Sequence, residues 1–415
     1  MVILRRSLWV LGAVVALVLQ FVVLAKLAPF GGLLLPKALD MFGVVSGPPQ
    51  PIPNADTSDS GPGTLLRADT MPTLNATHLG RDLKAARIIY KSTNGDTGAT
   101  TEVSGAVFVP QGTPPPGGWP AIGLAHGTVG IDNQCAPSLS GALDNLAATV
   151  QWMTSHGYAV ALADYQGLGT KGVHPYLDAR TAGRNVIDSV RALRHTFPDV
   201  SDRWAAFGHS QGGAAAWAAN EQAAIYAPEL QLVGAAAMAP AADVSGMVDK
   251  AFEGRLSPDQ PLAFQAIVES MARIHPNLNR DDFRSKAAAV DWDSLSDCSG
   301  PGLYERGNIA ARLGAKDIAP QNQAAADQLK LLLQAWELPQ RPLSAPLSVW
   351  YGGADTLVDA SWTRAAIARA CARGGVIAIE FQPDKGHGDF DLMSQVKWLV
   401  DRFAGLPAPN DCPRT

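Results

Sequence analysis

The sequence is short of several things, and each shortage closes off a class of function. There are only four cysteines in 415 residues: Cys135, Cys298, Cys371 and Cys412. None forms a C-x-x-C pair and none has a histidine at zinc-finger spacing, which argues against a cysteine-built metal site. The formal net charge is only −5, no basic block occurs, and no stripe of aromatics interleaves with lysine or arginine. That pattern excludes a nucleic-acid partner. No segment repeats at a period of 20 to 50 residues, so the chain is not a solenoid or a propeller.

An even number of widely spaced cysteines fits two disulfides in an exported protein, with buried thiols as the alternative. Spacing leaves all three pairings open. The N-terminus points the same way. Arg5 and Arg6 precede a run from Leu8 to Ala25 that is apolar except for Gln20. A positive start followed by roughly 18 apolar residues suits either a signal peptide or a membrane anchor within residues 1–28. No A-x-A cleavage site follows, and both readings stand. The arginines would stay cytoplasmic, placing the remainder outside the membrane. Residues 29–63 read as an apolar stretch and then a Pro-, Gly- and Ser-rich linker from Gly47 to Gly63.

Beyond Thr64 the hydrophobic pattern alternates between strands and helices. Ala86–Tyr90 and Val103–Val109, separated by the turn signal Asn94-Gly95-Asp96, predict an antiparallel pair. Ala121–Ala125, Tyr158–Ala163, Trp204–Phe207, Leu232–Ala237, Leu347–Tyr351 and Val376–Phe381 are short apolar runs typical of buried parallel strands. Helices are expected over Ala142–Ser155, Thr181–His195, Ala214–Ala223, near Trp362–Cys371, and in a last segment carrying Leu392, Met393, Val396, Leu399, Val400 and Phe403. This alternation implies an α/β fold with a mostly parallel sheet covered on both faces. Between residues 241 and 342 strands disappear, and helical segments place Met247, Phe252, Phe264, Ile267, Met271, Leu331 to Leu333 and Trp336 on apolar faces. The expected organisation is a core of residues 64–240 and 343–415, interrupted by a helical cap at 241–342. Such an insertion would fold over the carboxyl ends of the strands, where open α/β sheets bind ligands.

Within this frame one hexapeptide carries chemistry. Gly208-His209-Ser210-Gln211-Gly212-Gly213 follows a strand and opens a helix. The G-x-S-x-G spacing is that of a nucleophile elbow, a strained turn that exposes a serine hydroxyl. The amide of Gln211 would point at a developing oxyanion from the positive end of the helix. A serine hydroxyl needs a base, and the base needs an orienting carboxylate. Asp355 follows a strand directly in Tyr351-Gly352-Gly353-Ala354-Asp355, and His387 lies between two glycines after the last strand. Asp359 is the competing carboxylate, four residues deeper in its loop. The order Ser210, Asp355, His387 is that of the α/β-hydrolase fold. His126-Gly127-Thr128, at the end of an early strand, supplies the second oxyanion donor from the amide of Gly127 or Thr128. Thr128 is favoured because its hydroxyl could add a bond. Gly167–Gly172 matches G-x-G-x-x-G, but His174-Pro175 opposes the helix a dinucleotide site requires. A close-approach loop beside the site is the better reading.

These motifs, together with Gln134-Cys135-Ala136-Pro137-Ser138 and Asp164-Tyr165-Gln166-Gly167-Leu168-Gly169, resemble the secretory lipase family from about Gly61 onward. The resemblance implies an α/β-hydrolase core with a helical cap, a Ser210–Asp355–His387 triad, and hydrolysis of lipid or other hydrophobic esters without a cofactor or metal. It also implies a Cys135–Cys298 disulfide, leaving Cys371 with Cys412. The chain departs from the yeast members at the oxyanion loop, where it carries His-Gly-Thr and they have an acidic residue nearby. The expectation is an exported or membrane-tethered serine ester hydrolase. The alternatives are an acyltransferase working through the same acyl-enzyme and a non-catalytic binding protein on the same scaffold.

Overall fold

The computed structural model describes residues 47–413. The apolar N-terminal run, with its signal or anchor reading and the membrane contact it would make, lies outside the described residues. Among those described, no helix is long and apolar enough to cross a membrane.

Among the described residues, nine strands form one sheet in the order β1-β2-β3-β5-β4-β6-β7-β8-β9. They are β1 (Leu65–Thr70), β2 (Lys84–Thr93), β3 (Thr100–Val109), β4 (Trp119–Ala125), β5 (Ala159–Ala163), β6 (Val200–His209), β7 (Gln231–Met238), β8 (Leu347–Gly352) and β9 (Ile377–Gln382). Strands β1 to β3 and the β3–β5 pair are antiparallel. From β5 through β4, β6, β7 and β8 to β9 every pair is parallel. The period of two shows on β6. Trp204 and Ala206 enter the core on one face of the sheet, and Ala205 and Phe207 enter the core on the other. Helices α2 (Ala179–Thr196) and α3 (Gln211–Tyr226) cover the first face, and α1 (Ala147–Ser155) covers the second.

Local chemistry explains where elements differ from expectation. The helix expected from Ala142 starts instead at Ala147 because Leu143, Asp144 and Asn145 take φ values of 51°, 50° and 75°, a left-handed run that no α-helix accommodates. Helix α2 begins at Ala179 because Asp178 caps it, accepting from the amides of Arg180 and Thr181. Strand β1 has no counterpart in the sequence reading, since its Arg67, Asp69 and Thr70 blur the alternation. The Pro- and Gly-rich stretch before it is exposed but docked. Thr70 N donates to Gln50 O, Ile52 N to Ala68 O, and Asp56 N to His195 O.

Residues 241–342 contain helices α4 (Gly246–Glu253), α5 (Gln260–Ile274), α6 (Gly300–Arg312) and α7 (Gln323–Gln334). Two more, α8 (Ala360–Ala372) and α9 (Leu392–Phe403), return to the sheet. On α7 Leu329 and Leu333 are buried, whereas Leu331 points to solvent at 68% exposure. It falls about 180° around the helix from the midpoint of that pair, since each residue turns about 100°. Met393 and Val400 of α9 are likewise largely exposed.

This helical segment is fastened to loops that leave the carboxyl ends of β4, β5 and β8. A disulfide joins Cys135, in the loop after β4, to Cys298 just before α6. A second joins Cys371 to Cys412 at the end of the chain. Arg273 of α5 pairs with Asp132 at 2.7 Å and with Glu269 at 2.8 Å. Lys250 of α4 pairs with Asp359 at 2.9 Å. Glu269 is buried and receives further bonds from Arg280 and the Trp292 indole. Burial pushes its carboxyl up, but the bonds from Arg280, Arg273 and Trp292 outweigh that and hold it at about 2. A carboxyl depressed from 4.5 contributes stability that is complete above that value and lost as pH falls through about 2. Glu269→Gln is therefore expected to lower the urea midpoint at neutral pH. Its gap from wild type should close as the pH is taken from 4.5 towards 2. A gap independent of pH would contradict this account of the clamp.

Candidate active site

Strands β4 and β6 are neighbours, with Ala125 opposite Gly208. The chain crosses from β4 to β5 on one side and then to β6 on the other. That reversal leaves a crevice at the carboxyl ends of β4 and β6, the usual ligand position in such sheets. Two sequence motifs end there. His126-Gly127-Thr128 leaves β4, and Ser210 leaves β6.

Ser210 sits between β6 and α3 with φ 59° and ψ −120°, strained for a residue with a side chain. The turn closes only because its flanks are bare. A Cβ on Gly208 would lie 2.2 Å from Gly212 O, and one on Gly212 would lie 2.0 Å from Ala125 O. The start of α3 therefore packs directly on the end of β4. A Cβ on Gly127 would lie 3.8 Å from Ser210 Cβ, so the His-Gly-Thr loop is beside the serine. The first N–H groups of α3 have no partners within the helix and stand at its positive end.

Asp355 and His387 arrive from the ends of the last two strands, β8 and β9. Strands β8 and β9 pair through Gly352 and Gln382, and Ala354 N donates to Lys385 O, which holds the two loops together. His387 Nδ1 lies 2.7 Å from Asp355 Oδ2, and His387 Nε2 lies 2.8 Å from Ser210 Oγ. A proton on Nδ1 donates to the carboxylate, leaving the Nε2 lone pair to accept from the serine hydroxyl. The other carboxylate oxygen, Oδ1, accepts from the amides of Leu357 and Val358, each at 2.9 Å. Those two bonds fix its rotamer. The structure thus brings Ser210, His387 and Asp355 into one line of hydrogen bonds. Asp359 is elsewhere, paired with Lys250. Asp391 caps α9 through Met393 N, while Asp389 accepts from Gly386 N and supports the histidine loop.

Several neighbours carried no sequence signal of their own. His209 donates from Nε2 to the His387 carbonyl at 2.8 Å, and its ring lies 4.7 Å from that of His387. Burial, then the charge of His387, hold its imidazole down at about 4, so it stays a neutral donor. Tyr165, at φ 72°, lies tilted against the His126 ring and donates its hydroxyl to His126 O at 2.9 Å. His174 meets Gln211 Nε2 at 3.0 Å, and Tyr176 meets Thr128 Oγ1 at 2.8 Å. The Gly167–Gly172 segment opens no helix. A Cβ on Gly167 would lie 2.3 Å from His174 N, so it is a close-approach loop against this group.

One substitution tests the packing on which this geometry rests. Gly212→Ala forces a methyl into the carbonyls of Ala125 and His126, which are backbone and cannot rotate away. We expect a loss of about 3 kcal/mol, at the upper end for overpacking, read as a drop in the denaturant midpoint. An unchanged midpoint would contradict the tight contact between α3 and β4.

The chain has relatives among known proteins. Lipase 10 of Candida albicans is 26% identical over 312 residues, 68% of this chain and 65% of that lipase, just under two thirds of its length. A Mycobacterium tuberculosis protein named "Probable inactive lipase" is 24% identical over 391 residues, 88% of this chain and 83% of its own. Among solved structures, closed Candida antarctica lipase A superposes with a TM-score of 0.67 at 20% identity, covering 85% of this chain and 84% of that one. LipA, a rice cell wall degrading esterase from Xanthomonas oryzae, superposes with a TM-score of 0.63 at 20% identity, over 83% and 98% of the two chains. These likenesses establish the α/β-hydrolase fold. The sequence profile of the secretory lipases matches residues 143–411. Spanning well over half of the chain, that match makes it a member of the secretory lipase family.

Proposed function

We propose that this secretory-lipase-family ester hydrolase cleaves lipid or other hydrophobic carboxylic esters through an acyl-enzyme on Ser210. The observation that carries the reading is the continuous line from Asp355 through His387 to Ser210 Oγ, with contacts of 2.7 and 2.8 Å. Ser210 Oγ attacks the acyl carbonyl as His387 Nε2 takes its proton. Asp355 holds the imidazole in the tautomer that can accept, and stabilises the imidazolium once formed. The tetrahedral oxyanion takes donors from the amide of Gln211, at the positive end of α3, and from the amide of Gly127 or Thr128. His387 then returns the proton to the leaving alcohol. Water, activated by the same imidazole, releases the acid and restores the serine.

Residues 241–342 act as a cap in this reading, and their apolar surface takes the acyl chain. Their ties to the loops after β4, β5 and β8 support that position over the site. The two disulfides favour an oxidising compartment, and with the family match they support action outside the cytoplasm. One relative carries a name that calls it inactive. Here nucleophile, base and acid are all present and hydrogen-bonded, which favours catalysis.

The test is turnover of p-nitrophenyl esters of short to long acyl chain and of emulsified triglyceride. Ser210→Ala is expected to lower kcat by at least about 10³-fold, as for other serine nucleophiles. Asp355→Asn should lower it by about 10⁴-fold, through the wrong imidazole tautomer. Undiminished turnover by Ser210→Ala would overturn the reading. Turnover confined to short soluble esters would overturn the lipid assignment and leave an esterase.

A further inference from the structure

The loop between β5 and α2 contains a tripeptide, His174-Pro175-Tyr176, that touches both residues flanking the proposed oxyanion position. His174 is buried at 2% exposure. Its Nδ1 lies 2.9 Å from the Gln166 carbonyl, which can only accept, so that nitrogen carries the proton. Nε2 is then a bare acceptor, and the Gln211 side-chain amide donates to it at 3.0 Å. Two residues on, the Tyr176 hydroxyl lies 2.8 Å from Thr128 Oγ1. Gln211 follows the nucleophile on α3, and Thr128 belongs to the loop that leaves β4. A single short segment therefore grips both walls of the site.

The segment is itself held rigidly. Pro175 limits the backbone between the two rings. Ser270 of α5 donates its hydroxyl to His174 O at 2.7 Å and accepts from Tyr176 N at 2.9 Å. Tyr165 and Leu177, towards the two ends of the loop, take φ values of 72° and 70°. Left-handed backbone at residues with side chains persists only where the surroundings enforce it. The Tyr176 side chain is buried, while Thr128 is exposed at the mouth of the site.

Resting on the hydrolase reading, we propose that Tyr176 is a positioning residue of the oxyanion hole. Its hydroxyl donates to Thr128 Oγ1, and this leaves the Thr128 proton free to bond the oxygen of the tetrahedral intermediate. His174 locks Gln211 on the opposite wall. Both buried groups keep the protonation this needs. Burial pushes the Tyr176 phenol up to about 12, so it retains its proton, and burial holds the His174 imidazole at about 3, so it remains a neutral acceptor. The Ser270 bonds couple this brace to α5, so the cap contributes to the shape of the hole without touching the reacting atoms.

The test is a double-mutant cycle on a soluble p-nitrophenyl ester, with Ser210→Ala measured alongside. Thr128→Val is expected to lower kcat by about 10²-fold with KM unchanged, as for loss of one oxyanion donor. Thr128→Ser, which keeps the hydroxyl, should recover most of it. Tyr176→Phe should lower kcat by about tenfold in wild type, within the range set by that donor, and by nothing further in Thr128→Val. That non-additivity marks action through Thr128, whereas a merely structural role gives equal losses in both backgrounds. If Tyr176→Phe fails to fold, the exposed Thr128 pair decides alone: equal kcat for valine and serine overturns the proposal. Ser210-dependent turnover that ignores Tyr176→Phe overturns this inference and leaves the hydrolase reading standing. Turnover that ignores Ser210→Ala overturns both.

Discussion

Everything at the site depends on one close contact, the first turn of α3 lying against the last carbonyls of β4. With Gly212 at that contact, Ala125 O comes within 2.0 Å of where a side chain would begin. The contact does two things. It closes the strained turn that lifts Ser210 out of the sheet, and it sets the free amides at the head of α3 beside the loop from β4. In the proposed function a hydroxyl and two sets of N–H groups would thereby face one point, before any substrate arrives. Such preorganisation is where acyl transfer gains most, because the donors need not reorient as charge develops.

The remaining parts reach the same point from other strand ends. Pairing of β8 with β9 carries Asp355 to His387, and two backbone amides pin the carboxylate so that it presents one oxygen to the imidazole. His209 holds the histidine loop by its carbonyl. A helical segment is joined to the loops after β4 and β5 by a disulfide, by Arg273 with Asp132, and by Ser270 with the His174–Tyr176 backbone. Most of these ties leave a single helix, α5. In the proposed function that helix ties the cap to the loops on which the oxyanion donors lie.

How much of this could be read from the chain depended on how local each signal was. The parallel sheet was legible because buried runs such as Tyr158–Ala163 and Leu232–Ala237 have few other homes. Ser210, Asp355 and His387 were legible as a set because the backbone chemistry of a strand end restricts the residues around them. His174 and Tyr176 were not. Their partners, Gln211 and Thr128, are far away in sequence, and only the packing of a glycine-rich loop brings them near. The false start of a helix at Ala142 has a similar cause. Leu143 and Asn145 adopt left-handed backbone that their residue types do not announce. Leu331 looked like a core residue because it adjoins Leu332 and Leu333, yet one helical step turns it to solvent. The Cys135–Cys298 pairing came through family resemblance and could not have come from spacing.

The most direct measurement of the central claim is peptide mass mapping after reaction with a long-chain alkyl phosphonate ester. This reagent forms a stable adduct only with a serine activated as a nucleophile. The account predicts one phosphonyl group per chain, carried by Ser210 and abolished when His387 is replaced by alanine. An unmodified Ser210, or an adduct on a different residue, would contradict it.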